Sequence, residues 1–359
     1  MHSYNIYLRK DGRWEGRIPK PTENGIRKYK SFFGTSREEV MRKMDEFMDM
    51  NMRKSEVSVS FEFIFKEWFQ SVQYRIKEST AANYRMKADK HILPIFGDKS
   101  IIELNETLVY EFIEQKRNER LSDRYIADMI TLMRSVCRYA AKKYSIQNPM
   151  VDIRFYKKRP AEVRILEKEE HHKLNQYVTK QHNHSNLGIL LAMTTGVRIG
   201  ELCALQWADI DLEKRILTVR KTIQRIQCKD GESKTKLIIT EPKSESSKRE
   251  IPLPECIISY LSEFIGKSGQ YVLSGDEKPV EPRTMQNRFA RILRNVNLPS
   301  VHFHSLRHYF ASDCIRLGFD VKSLSELLGH GSVEITLNRY VHSSLEQKRE
   351  YMNRISIAA

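Results

Sequence analysis

The stretch HFHSLRHYFASDCIRLGFDVKSLSELLGHGSVEITLNRYVH, His302 to His342, places an arginine, several histidines and a late tyrosine in a helix-rich frame. His304 and Arg307 are three residues apart, so on a helix they share a face. His330 follows a glycine in GHG, and Tyr340 follows an arginine in NRYV. One group that can clamp an anion, two that can move protons near neutral pH and one hydroxyl point toward chemistry on a phosphate ester. Each of these residues also has a plainer reading. A lone histidine is more often an ordinary core or surface residue, the reading given to His302, His308, His171 and His172, and a lone tyrosine is more often structural.

The bulk of the chain narrows the choice. With 359 residues it has room for two or three domains. The 61 Lys and Arg against 46 Asp and Glu leave a formal charge of +15, which favours a polyanionic partner, nucleic acid before membrane. No run of about 18 apolar residues offers a membrane span. The N-terminal MHSYNIYLRKDGRWEG carries charge where a signal peptide needs an apolar core. The five cysteines are widely spaced without a CxxC pair, and are expected as reduced thiols of a cytoplasmic protein, with neither a disulfide frame nor a metal site.

From the N-terminus, Tyr4 to Phe33 reads as a three-stranded antiparallel sheet turning at Asp11-Gly12 and Asn24-Gly25. The first 37 residues hold nine Lys or Arg against three acids. A basic sheet of this size fits a major groove, and a solvated polar face is the competing reading. Arg13, Arg17 and Lys28 are its candidate DNA contacts. Thr35 and Glu38 are expected to form a capping box for a helix whose stripe Val40, Met41, Met44, Phe47 and Met48 backs the sheet. Asn51 to Ser60 reads as a linker. Four amphipathic helices follow, capped by Ser60, Ser79, Asn105 and Ser122, the second stopped by Pro94 and Gly97. They predict a compact bundle. Lys142, Lys143, Lys157 and Lys158 at its end are candidate phosphate contacts.

The remainder, from Ala161, reads as helices interrupted by one small sheet, with EPKSESSKR as the polar tip of a hairpin between strands at Lys236 to Thr240 and Arg249 to Leu253. The fold class expected is mainly α with small β-sheets, an α+β chain. Its domains are expected at 1–54, 55–155 and 161–359.

Four motifs occur in a telling order: TTGVRIGEL, PKSESSKREIPL, HSLRHYFAS and LLGHGSVEITLNRYVH. In that order the chain resembles the tyrosine recombinases, the phage and transposon integrases, most closely the conjugative-transposon type. TAANYRMKADKHILPIFGDKSI resembles their core-DNA-binding domain, and the basic sheet resembles their arm-binding domain. The resemblance thus covers nearly the whole chain.

It implies a role for each matching position. Arg198 and Arg307 match the family's two arginines, which hold the non-bridging oxygens of one phosphodiester. Glu201 matches a position usually acidic, as support that orients Arg198. His304 and His330 match the two histidine positions, read as proton transfer and phosphate binding respectively. Lys243 matches the hairpin lysine that protonates the departing 5′ oxygen, with Lys234, Lys236 and Lys248 as rivals on the same segment. Tyr340 matches the nucleophile, which leaves a 3′-phosphotyrosine.

The implied function is site-specific recombination of a mobile element through a Holliday junction, by a tetramer on double-stranded DNA, with no metal, ATP or other cofactor. A directionality factor and a host DNA-bending protein are expected partners, and the tail after Tyr340 packs either on a neighbouring protomer or on its own domain. The alternatives are a type IB-like topoisomerase and, in another class, a non-catalytic DNA-binding regulator.

Overall fold

A computed structural model describes residues 5–19, 29–56, 59–155, 164–228, 234–242, 245–340 and 349. The chain divides into two compact units, Met1–Pro160 and Ala161–Ala359. Both are mainly helical with small antiparallel sheets, the α+β build expected.

Strands β1 (Asn5–Leu8), β2 (Trp14–Pro19) and β3 (Tyr29–Gly34) pair in sequence order, all antiparallel. The register sets Tyr7 opposite Glu15 and Glu15 opposite Phe33, so all three lie on one face. The other face carries Gly16, on which helix α1 (Arg37–Glu56) packs. A Cβ at Gly16 would lie 2.2 Å from Met44 Sδ and 2.7 Å from Val40 Cγ1, so only glycine permits this approach. Val40 and Met44 are fully buried there.

Two expectations for α1 are corrected. The capping box is not Thr35–Glu38: Ser36 Oγ accepts the Glu39 N–H at 3.1 Å, and the Glu39 carboxylate accepts from Thr35 N–H and Oγ1, both at 2.8 Å. The helix also runs to Glu56, through most of the expected linker. The residues from Asn51 to Glu56 include neither glycine nor proline, so nothing local ends it. The Asn24-Gly25 turn lies outside the described residues.

The bundle comprises α2 (Phe61–Val72), α3 (Glu78–Lys87), α4 (Leu93–Phe96), α5 (Glu106–Asn118) and α6 (Asp123–Tyr144). Ser60, Asn105 and Ser122 cap as expected, accepting backbone N–H from Phe63, Leu108 and Tyr125 at 3.3, 3.0 and 3.3 Å. Helix α3 begins at Glu78 after Lys77, two residues ahead of the Ser79 expectation. Pro94 does not stop the second helix. A π turn, Ala88–Ile92, joins α3 to α4, and Pro94 sits in the first turn of α4, where its missing N–H is not needed. The aromatic centre of the bundle is Phe61, Phe96 and Phe112, with ring centroids 6.4 and 5.4 Å apart along the series.

In the second unit the elements are α7 (Lys168–Lys180), α8 (His184–Thr195), α9 (Ile199–Cys203), β4 (Ile210–Asp211), β5 (Ile216–Val219), β6 (Thr222–Gln227), β7 (Thr235–Thr240), β8 (Arg249–Pro252), α10 (Glu255–Ser262), α11 (Pro282–Asn295), α12 (His304–Arg316), α13 (Val321–Leu328) and α14 (Val333–Tyr340). Helix α8 is buried along most of its length and serves as the central post of the core. Among its described residues this unit holds two sheets rather than one: β4-β5-β8 and the ribbon β6-β7. Because β7 pairs with β6, EPKSESSKR is a connection between sheets and not the tip of a β7–β8 hairpin. Strand β6 escaped notice because its buried residues, Ile223 and Ile226, are three apart and break the two-residue alternation. No described helix is long and apolar enough to cross a membrane.

Candidate active site

Four turns of the second unit converge. Gly196 closes α8 in the left-handed conformation, its N–H bonded to Ala192 O at 3.1 Å, and two residues later Arg198 forms the N-cap of α9. Glu201 then sits one turn on and reaches back. Its carboxylate accepts the Arg198 backbone N–H at 2.9 Å and Arg198 Nη1 at 2.7 Å. Arg307, in the first turn of α12 and only 2% exposed, donates from Nη1 to Gly196 O at 2.8 Å and from Nη2 to Leu328 O at 2.6 Å. Arg198 Nη2 donates to Gly329 O at 2.9 Å. Two guanidiniums from distant parts of the chain therefore hold consecutive carbonyls of one turn. His330 follows that turn directly, and its Nδ1 pairs with Thr336 Oγ1 at 2.7 Å, a buried hydroxyl of α14.

Thus Arg198, Glu201, Arg307 and His330 lie in one place. His304 opens α12 and is exposed, and its ring packs edge-on against His308 at 4.8 Å between centroids. His308, four residues further along the helix, lies on the face of His304. Tyr340 is the last residue of α14; its side chain is outside the described residues, and so is Lys243.

Sequence reasoning missed Arg249. This side chain is 5% exposed and donates from Nη2 to Glu201 Oε2 at 2.9 Å and from Nε to Leu327 O at 2.6 Å. Burial pushes the Glu201 carboxyl up, but Arg249 and Arg198 outweigh it and hold it below the usual carboxylate range. A signal was present. Arg249 and Ile251 alternate along β8, so an inward Ile251 implies an inward Arg249 that needs a buried acid. Among the described residues three guanidiniums and one carboxylate meet here, a set of side chains suited to an anion. Among the described residues no cluster of metal-ligating side chains occurs.

The candidate DNA contacts divide. Arg17 is bound to Glu15 at 2.7 Å, together with Arg9 at 2.8 Å. Glu15 is itself only 2% exposed, and Arg17 beside it, with Arg9, Ser31 and Tyr7, draws its carboxyl down to about 2. The exposed Arg13 pairs with Asp11 at 2.8 Å. Lys143 is tied to Glu67 at 2.6 Å while Lys142 is exposed. Lys28, Lys157 and Lys158 lie outside the described residues.

On a mainly helical frame, the clustered arginines make a site suited to a phosphate. The chain belongs to the phage integrase family: the pattern of that family matches residues 164–347, more than half of the sequence, and its N-terminal SAM-like domain matches residues 60–126. A tyrosine recombinase XerC-like protein of Caldanaerobacter subterraneus is 27% identical over 360 residues, covering 91% of each chain. Among solved structures, the Tn1549 transposon integrase bound to a circular intermediate DNA superposes with a TM-score of 0.67 at 20% identity, covering 83% of this chain and all of that one. A lambda integrase tetramer bound to a Holliday junction superposes with a TM-score of 0.60 at 20% identity, covering 95% and 97%. This chain is accordingly a site-specific DNA recombinase of the tyrosine type.

Proposed function

We propose that the chain is the integrase of a mobile element, inserting and excising it through a 3′-phosphotyrosine and a Holliday junction. The observation that carries the reading is the meeting of Arg198 and Arg307 on the Leu328–Gly329 turn that leads into His330. Two forked cations there suit the two non-bridging oxygens of one phosphodiester, whose charge grows in the five-coordinate transition state. Arg307 is buried, so its engagement accompanies a rearrangement when DNA binds.

In this reading the Tyr340 oxygen attacks the scissile phosphorus and gives up its proton to His304. The phosphorus–O5′ bond breaks, and Lys243 donates a proton to the departing oxygen. One phosphoester replaces another, so the bond energy is kept in the covalent intermediate and no ATP is required. His330 binds the phosphate and Glu201 orients Arg198. Segments 1–54, 55–155 and 161–359 act as arm-binding, core-binding and catalytic domains. Arg13, Arg17, Lys28, Lys142, Lys143, Lys157 and Lys158 contact DNA. The similarity to DNA-bound integrases, one of them a tetramer on a Holliday junction, supports action on double-stranded DNA as a tetramer. A directionality factor and a host DNA-bending protein would assist, in the cytoplasm at the nucleoid.

The test is a nicked duplex carrying the ends of the element. The reading expects covalent capture of the strand and exchange between two duplexes. Relaxation of a supercoil without exchange would mark a topoisomerase, and binding with no covalent capture would mark a regulator.

A further inference from the structure

The C-terminus of α13 leaves its carbonyls to be accounted for one by one. The His330 N–H bonds Ser325 O at 3.1 Å and the Gly329 N–H bonds Glu326 O at 2.9 Å, closing the helix in a Schellman turn with Gly329 at φ +64°. The next three carbonyls have no helical partner. Each goes to a different arginine: Leu327 O to Arg249 Nε at 2.6 Å, Leu328 O to Arg307 Nη2 at 2.6 Å, and Gly329 O to Arg198 Nη2 at 2.9 Å. The negative end of the helix dipole favours all three cations.

We infer that Arg249 is a positioning residue of the reaction, setting the separation and aim of the phosphate-binding arginines through Glu201 and the Leu327–Gly329 turn. Its own donors are directed inward. Nε takes Leu327 O, Nη1 takes Ser247 O at 3.1 Å and Glu201 Oε1 at 3.3 Å, and Nη2 takes Glu201 Oε2 at 2.9 Å. The side chain is 5% exposed, against 35% for that of Arg198. All three nitrogens of the Arg249 guanidinium are thus held by protein acceptors, so it acts through Glu201 and the turn rather than on a substrate.

Glu201 serves both arginines at once, and without Arg249 it would be a buried carboxylate held by Arg198 alone. Arg198 would be drawn toward it and away from Gly329 O. The turn would also lose the tie at Leu327 O, and His330 follows two residues beyond Leu328. Arg249 also begins the strand that follows the segment containing Lys243. One buried guanidinium thus links three of the chain segments that supply the site.

The inference rests on the assignment of Arg198 and Arg307 to the phosphate, so its test separates the two. Arg249→Met, Arg249→Lys and Arg198→Ala are compared in the full chain. Each is given a nicked duplex with either an ordinary scissile phosphate or a methylphosphonate, in which a methyl group replaces one charged non-bridging oxygen. DNA affinity and the rate of covalent capture are read separately. With the ordinary phosphate, Arg249→Met and Arg249→Lys should bind DNA as the parent does and be captured about 100-fold more slowly, the size expected of a misplacement near 1 Å. Lysine keeps the charge beside Glu201 but cannot span Leu327 O and both carboxylate oxygens. With the neutral methylphosphonate, where the arginine clamp matters less, the defect should shrink.

An equal defect on both substrates, a loss of DNA affinity in step with capture, no defect, or unfolding of both variants would each overturn the role of Arg249. Arg198→Ala provides the separate check. If its defect is the same on the two substrates, the phosphate assignment of Arg198 fails; if that defect shrinks and those at Arg249 do not, only the present inference fails.

Discussion

Replacing Gly329 by alanine should damage both stability and chemistry, and the structure permits the two contributions to be separated. Gly329 has φ +64°, where an L-residue costs about 1–2 kcal/mol relative to its ordinary conformations. Its added Cβ would also meet Arg249 Cδ, Arg249 Nη1 and Ser246 O, all at 3.0 Å. Arg249 cannot swing clear because Glu201 and Leu327 O hold it. Such overpacking adds roughly 1–2 kcal/mol, for a total of about 2–4 kcal/mol. Gly318 is the natural control. It has φ +88° and an added Cβ there would meet nothing within 4 Å, so Gly318→Ala should cost only the backbone share, about 1–2 kcal/mol. Urea unfolding can be followed through Trp207, with Trp14 and Trp68 changed to phenylalanine so that the second unit is read alone. Covalent capture on nicked DNA should slow for Gly329→Ala, whose change lies beside His330, and stay near the parent rate for Gly318→Ala. Equal losses of stability and equal capture rates in the two variants would refute the packing argument.

In the N-terminal sheet, Arg17 and Arg9 hold the Glu15 carboxyl at about 2, against an ordinary 4.5. A carboxyl lowered by folding stabilises the fold fully above its unfolded value, and that contribution disappears as pH falls from about 4.5 toward about 2. Trp14 fluorescence, with Trp68 and Trp207 replaced by phenylalanine, should report that loss in the parent and its absence in Glu15→Gln. In the bundle, Phe112 is 1% exposed and packs on Phe96, so Phe112→Ala should destabilise by about 3–5 kcal/mol in urea, and Phe112→Leu by about 1.5 kcal/mol or less.

Local chemistry was legible from residues alone; chemistry closed over long chain separations was not. Ser60, Asn105 and Ser122 announce their helices because a cap bonds a backbone group only three residues away. The Asp11-Gly12 turn is visible for the same reason. Pro94 misled because it falls after the π turn Ala88–Ile92, in the first turn of α4, where its missing N–H is not needed. The partner of β7 could not be chosen from its own residues, since β6 buries Ile223 and Ile226 out of strand period.

The site divides in the same way. The Arg198–Glu201 contact spans three residues and follows from a helix start. Arg249 reaches Glu201 across 48 residues and Leu327 across 78, which no local pattern records. The motif order in the sequence pointed to the arginines and histidines as a set, while the shared turn that holds Arg198, Arg249 and Arg307 emerged only from the fold.

The central claim is that this cluster serves a covalent exchange carried by Tyr340. The most direct measurement is mass spectrometry of the protein trapped on nicked element-end DNA, comparing the parent with Tyr340→Phe. The account predicts a nucleotide-bearing peptide that contains Tyr340 in the parent and no adduct in the variant. An adduct that persists in Tyr340→Phe, or one that maps to another residue of the parent, would contradict it.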